Sequence, residues 1–282
     1  MKQKNAIGHP SVGIALGGGA ARGIAHIGVL QALVDNNIPV DCIAGTSAGA
    51  IVAAAFAFGI PLETIRQKAK RLNWYMISVL PGSVLGLASN SAIDKMLREL
   101  IGGADISESK IPLAVVATKI ETGEKVVFRN GKTALAVRAS ACIPGLFYPV
   151  EIKGIKLVDG ELSESLPLSP LLDMGADIKI GVSVLHWRSR KKVGNLLDII
   201  SNSLDIMASH KEDRASENAD VVIEPDLGAY GPSDFKKADA LIAEGYRAAS
   251  LKIPEIKKLL SRATKKQKPQ RFFDRFWDWL KK

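Results

Sequence analysis

The chain has 282 residues, 47% hydrophobic and 24% charged, enough to bury the core of one sizeable α/β domain. Its formal charge of +9 is not spread along it: eleven Lys or Arg stand against three acids from Leu251 to Lys282, which leaves 27 basic and 26 acidic residues upstream. A neutral body with a basic tail excludes the broad cationic face of a nucleic-acid binder, and two cysteines, Cys42 and Cys142, in apolar or small-residue stretches exclude a disulfide framework and suit a reducing compartment.

Lys2 and Lys4 ahead of the apolar run Val12 to Leu16 faintly imitate a secretory leader. Cleavage there would remove or disrupt Gly17 to Gly19, so the chain is read as unprocessed and cytoplasmic. Val12 to Leu16 is the first predicted strand. It runs into Gly17-Gly18-Gly19-Ala20-Ala21-Arg22-Gly23 and then a helix predicted over Ala20 to Val34, with Ile24, Ile27, Leu30 and Val34 at helical spacing. Three successive glycines let backbone N–H groups converge at a helix N-terminus, which suits an anion or a developing oxyanion. A dinucleotide fingerprint needs glycine where Arg22 or Ala20 stands, and a phosphate loop needs a Gly-Lys-Ser/Thr ending. Neither is met, although Asp41 lies about where a ribose-binding acid would be expected.

Cys42 to Ala44 is the second predicted strand, followed by Gly45-Thr46-Ser47-Ala48-Gly49 and an apolar helix. This is a G-x-S-x-G elbow in the strand-to-helix setting it requires: Ser47 is exposed on a sharp turn, and Gly45 and Gly49 relieve the crowding. Ile43 to Ile60 carries no charge for about 18 residues, but its small residues and the stop at Pro61 favour a buried helix over a membrane span. Further strands are predicted at Leu113–Thr118, Lys125–Phe128, Ile178–Val184 and Val221–Ile223, and further helices at Pro61–Arg71, Ala92–Ile101 (capped by Ser91), Val193–Asn218 and Phe235–Leu260. Alternation of strand and helix implies an α/β fold with a mostly parallel, doubly covered sheet.

A nucleophilic serine needs a base. Of His9, His26, His186 and His210, only His186 follows a strand in a way that would complete the order Ser, Asp, His of an ordinary α/β-hydrolase. Asp159, directly after the apolar run Ile155 to Val158 and before Gly160, is the carboxylate alternative; burial would raise its pKa toward a useful value, although Asp-Gly is also a common β-turn.

Taken in order, the Gly17 to Gly23 loop, the Ser47 elbow, Ala139-Ser140 with Pro144 and Phe147, and Asp159-Gly160 resemble the patatin-like phospholipases, by motif from about Val12 to Ile180 and in the expected body to about Leu260. The resemblance implies a three-layer α/β/α fold and a Ser47–Asp159 dyad without histidine. It also implies an oxyanion hole from the amides around Gly17, Gly18 and Gly19, and hydrolysis of lipid esters through an acyl-enzyme without cofactor or metal. Arg22 supports the loop, meets a phosphate, or packs. One departure stands out: where members often continue Asp-Gly with a small residue and later an Asn, this chain has Glu161 and then Ser165 before Leu166-Pro167. A like charge beside Asp159 would raise the pKa of one carboxylate. Two other readings stay open, an ordinary Ser-Asp-His esterase using His186 and a nucleotide- or lipid-binding regulatory protein.

Trp74 to Leu87 is apolar and broken by Pro81 and Gly82, and reads either as an acyl-channel wall or lid or as a loop packed on the core. Residues 1–260 form the expected acyl hydrolase domain. Within 261–282, Lys265 to Gln270 is a basic linker and Arg271 to Lys282 an amphipathic helix, its six apolar side chains within an arc of roughly 160°. That helix fits an anionic bilayer at the inner face of a membrane, or docking on the protein itself or a second copy.

Overall fold

The computed structural model describes residues 9–72, 88–185, 199, 202–204, 206–208 and 217–267. The first strand, β1 (Val12–Leu16), is buried along its whole length, as a parallel strand covered on both faces must be. Its neighbours are β2 (Cys42–Thr46) on one side and β7 (Ile178–Val182) on the other, both parallel. β3 (Leu113–Lys119) continues the parallel set beyond β2, and β8 (Val221–Ile223) beyond β7. Three antiparallel strands, β4 (Lys125–Phe128), β5 (Val150–Ile152) and β6 (Ile155–Asp159), gather around β3. The order is β5-β6-β3-β2-β1-β7-β8, with β4 on β3.

Side-chain alternation on the strands sorts the helices into two layers. Val12, Ile14 and Leu16 face a core shared with α1 (Ala25–Asp35), α2 (Ala48–Ala57), α3 (Leu62–Arg71), α4 (Ser91–Ile101), α5 (Thr133–Ser140) and the long α8 (Ala238–Gln267). Ala15, Cys42, Ala44 and Ala114 face the opposite way, onto Leu166, Leu168 and Leu171 around α7 (Ser169–Asp173). The fold is three-layer α/β/α with a mostly parallel sheet. α1 and α8 meet backbone to backbone, since a Cβ at Gly28 would strike the Ile242 carbonyl and one at Gly245 the Ala25 carbonyl.

Several expected boundaries move. The uncharged stretch Ile43 to Ile60 divides into β2, a turn and α2, and no helix among the described residues is long and apolar enough to cross a membrane. The helix expected from Ala20 opens as a 3-10 turn, Ala20–Ile24, before α1 begins. Ser91 is the first residue of α4 rather than its cap; Asn90 takes that position, and the Ser91 N–H donates to Ser89 Oγ at 3.2 Å. β7 stops at Val182, two residues short of its expected end. α8 runs past Leu260 to Gln267, so the first part of the expected linker is helical. The expected helix Val193 to Asn218 lies largely outside the described residues. Trp74 to Leu87, His186, His210 and Arg271 to Lys282 lie outside them altogether.

Candidate active site

Ser47 stands between β2 and α2 with φ 52° and ψ −122°, a left-handed conformation that costs a non-glycine residue about 1–3 kcal/mol. The flanking glycines are needed for close approach. A Cβ on Gly49 would run into the carbonyls of Leu16 and Gly17, and one on Gly45 into the backbone of Ala50. Without side chains there, α2 starts directly against the end of β1.

The partner of Ser47 arrives along the same edge of β3 from the opposite end. β4 occupies one edge of β3 over Val115–Thr118. β2 and β6 therefore share the other edge, β2 pairing with Leu113–Val116 and β6, antiparallel, with Ala117–Lys119. Thr46 lies opposite Val116 and Asp159 opposite Ala117, so the two strands end head to head. The Ser47 hydroxyl donates to Asp159 Oδ2 at 2.7 Å. Gly160 permits the abutment, because a Cβ there would meet the Val116 carbonyl and Thr46 Cγ2. With φ −66° and ψ −19° it is no positive-φ turn glycine; it leads into the short helix α6 (Glu161–Glu164).

Ser47 and Asp159 are only 5% and 3% exposed. Burial pushes the Asp159 carboxyl up to about 7, against the lowering effect of hydrogen bonds from the Glu161 N–H and the Ser47 hydroxyl. The Glu161 amide donates to Asp159 Oδ1 at 3.0 Å, and burial is the largest cause of the raised carboxyl. A carboxylate titrating there can take a proton from a hydroxyl it already touches.

The glycine loop divides its amides. Gly17 N–H donates to the Val182 carbonyl (3.0 Å), extending the β1–β7 pairing, and Gly18 N–H donates to the Ser165 carbonyl (3.3 Å). Both are spent, so neither serves as the free donor expected of it. Gly19 and Ala20, at φ 150° and 51°, have no acceptor for their N–H groups among the described residues, and Ala20 lines the same two cavities as Ser47. Arg22 is buried and its Nε donates to the Gly19 carbonyl (3.4 Å). His26, with no distinctive sequence signal beyond its place after the loop, holds the Gly17 carbonyl through Nε2 at 2.8 Å. Burial lowers His26 to about 4, so the ring is neutral, and the carbonyl acceptor fixes its proton on Nε2. Asp41 accepts the Val12 N–H at 2.7 Å and thereby splices β1 to β2, which removes the acid a dinucleotide site would use. The thiols of Cys42 and Cys142 are both pushed up to about 12, chiefly by burial.

The family model described as patatin-like phospholipase matches residues 14–172, a span that includes the glycine loop, Ser47 and Asp159. The chain belongs to this family. An uncharacterized NTE family protein of Mycobacterium tuberculosis is 38% identical over 178 residues, 62% of this chain and 49% of the relative. A lysophospholipase NTE1 of Scheffersomyces stipitis is 26% identical over 275 residues, 86% of this chain and 18% of the relative. The chain therefore spans about half the length of such mycobacterial relatives, and less of the yeast one. Among solved structures, VipD from Legionella pneumophila aligns with a TM-score of 0.51 at 15% identity, covering 90% of this chain and 68% of that one. A human GIVD cytosolic phospholipase A2 aligns at 0.50 and 12% identity, covering 94% and 61%. At such identities these two share the fold.

In this patatin-like site Ser47 opens on two cavities. One, about 900 Å³ with its open mouth included, runs between α1, α2, α3 and α4 and is walled by Ile24, Ile51, Ile65, Leu72, Ile93, Met96 and Phe147, with Lys68 the one charged lining residue among the described residues. The other, about 410 Å³, is lined by Asp159, Glu161, Leu162, Pro144 and Pro232 as well as Ser47. An ester carbonyl at Ser47 has an apolar chamber on one side and a smaller, partly polar one on the other.

Proposed function

We propose that this chain is a serine acyl hydrolase acting on esters of phospholipids or related lipids, with Ser47 as nucleophile and Asp159 as general base. The observation that carries the reading is the 2.7 Å Ser47–Asp159 hydrogen bond at the foot of the apolar cleft. Ser47 Oγ attacks the ester carbonyl while its proton passes to Asp159 Oδ2. The tetrahedral oxyanion is taken by the amides of Gly19 and Ala20. Collapse expels the alcohol, which receives the proton from Asp159. Water then attacks the acyl-enzyme, gives its proton to Asp159, and the carboxylic acid leaves as Ser47 regains its hydrogen. The acyl chain occupies the apolar cleft and the leaving group the smaller cavity.

Family membership, and the naming of a yeast relative as a lysophospholipase, support a lipid substrate. Residues 1–260 are read as the catalytic unit. The basic segment 261–282 is read as its contact with an anionic membrane surface at the cytoplasmic face, a role supported by sequence pattern alone.

A fluorophosphonate probe tests the centre of the reading. Labelling of the wild type is expected to vanish in Ser47→Ala, fall at least about a hundredfold in Asp159→Asn, and persist in His186→Ala. Labelling that survives Ser47→Ala refutes the assignment; loss in His186→Ala would install the ordinary triad instead.

A further inference from the structure

Ser140 belongs to neither the dyad nor the glycine loop, yet it touches the backbone of both halves of the site. It is the last residue of α5 and is fully buried. Its Oγ accepts the backbone N–H of Ser47 at 2.9 Å, and its carbonyl accepts the N–H of Gly160 at 3.2 Å. Two residues on, the Cys142 carbonyl accepts the N–H of Asp159 itself, at 2.9 Å. The end of α5 is fixed in turn: buried Asn90 donates through Nδ2 to the carbonyls of Arg138 (2.8 Å) and Ala141 (3.2 Å).

These bonds answer a need created by the elbow. With φ at 52°, Ser47 has left the β2 ladder, and its buried N–H requires an acceptor that neither β2 nor α2 supplies. A hydroxyl from a third element meets that need and ties the nucleophile to the element that also holds the base. We propose that Ser140 is a positioning residue for the reaction, its Oγ fixing the elbow amide and its carbonyl the Gly160 amide so that α5 sets the separation of Ser47 from Asp159. The proposal rests on the Ser47–Asp159 reading and deepens it.

The experiment compares Ser140→Ala, Ser140→Thr and Thr133→Ala in the full chain. Thr133→Ala is the structural control: at the other end of α5 it removes a similar hydroxyl bond, Thr133 Oγ1 to the Ala104 carbonyl at 3.0 Å, far along the helix from the elbow. Measurements are the fluorophosphonate labelling rate of the folded fraction, kcat and KM on a long-chain p-nitrophenyl ester, the pH profile, and the thermal midpoint. Ser140→Ala is expected to slow labelling and lower kcat about ten- to hundredfold with KM changed less than about threefold. Its acid limb should move to higher pH, because the Ser47 hydrogen bond that lowers the Asp159 pKa is weakened. Ser140→Thr, which keeps the hydroxyl, should recover most of the rate, and Thr133→Ala should lose midpoint without losing kcat. Equal kcat losses in Ser140→Ala and Thr133→Ala at equal loss of midpoint would overturn the positioning role, as would wild-type labelling by Ser140→Ala. Labelling that survives Ser47→Ala would instead overturn the underlying assignment and take this proposal with it.

Discussion

Replacing Asp159 by Asn should cost activity and return stability, and the two effects should separate along the pH axis. Asn keeps the shape: its carbonyl can accept the Glu161 N–H, which turns its NH2 toward Ser47 Oγ where a carboxylate oxygen stood. The hydroxyl then faces a donor with no capacity to take its proton, and loss of a general base removes roughly 10²–10⁴ of the rate. The stability side follows from the buried carboxyl, whose pKa stands at about 7 against an ordinary 3.8. Below pH 4 it is protonated in both folded and unfolded chains. Between there and pH 7 the unfolded chain ionises while the folded one holds its proton, so wild-type stability falls as pH rises through this window and levels off above it. A gap of about three pKa units is worth roughly 4 kcal/mol at most. Asn carries no titrating proton, so the variant's midpoint should gain on the wild type from pH 4 to pH 8, by on the order of 10 °C for a domain of this size. Thermal melts of both proteins across that range, beside fluorophosphonate labelling, make the check. A midpoint difference that stays flat with pH would refute burial as the source of the raised pKa, and labelling within tenfold of wild type would refute Asp159 as base.

The same carboxyl predicts the pH–rate profile: kcat/KM on a soluble ester should be high above pH 7 and fall as pH drops through about 7, and an inflection near 4 would contradict it. Gly160→Ala should abolish labelling and lower the thermal midpoint, since its Cβ would press into the Val116 carbonyl and Thr46; a folded, active variant would disprove the close abutment of β2 and β6. Ala69→Phe, placed in the wall of the apolar cleft, should depress kcat/KM for long-chain esters about tenfold or more while sparing acetyl esters. Equal loss on both would argue that acyl chains lie elsewhere.

The parts of the site legible in the sequence are those built by neighbouring residues. Strand, Gly-x-Ser-x-Gly and helix follow one another without interruption, so Ser47 on its turn could be read directly, and so could the glycine loop at the end of β1. What the loop does with each amide could not. Gly17 and Gly18 are spent on the carbonyls of Val182 and Ser165, residues about 150 positions away in sequence, and no local pattern distinguishes them from Gly19. By spacing alone Asp159 fits a turn as well as a base, and the family resemblance is what points to it. The physical reason for its place is the shared edge of β3, a nonlocal pairing. One local signal for it was available: β5 and β6 are joined by Lys153-Gly154, both at positive φ (52° and 78°), the two-residue loop that a tight hairpin demands. A hairpin there requires β6 to run antiparallel to β5 and so to finish at Asp159.

α5 is harder to read, and its case shows where such reading stops. Thr-Ala-Leu-Ala-Val-Arg-Ala-Ser is eight residues with two β-branched ones, Thr133 and Val137, and no acid to mark its start. Its stability comes from contacts: Val137 packs in the core beneath α2, and Asn90 holds its last carbonyls. Ala139-Ser140 at its end carries part of the family resemblance, but no local pattern shows that the Ser47 amide depends on the Ser140 hydroxyl for a buried hydrogen bond. A G-x-S-x-G motif reports that a serine is presented at a turn; it carries no information about what accepts the serine's own amide. That acceptor comes from whichever element the fold packs beside the elbow, and here the same element grips the strand that brings the base. Nucleophile and base are therefore aligned through a short helix that neither motif contains, and a change in α5 would reach the reaction without altering either motif residue.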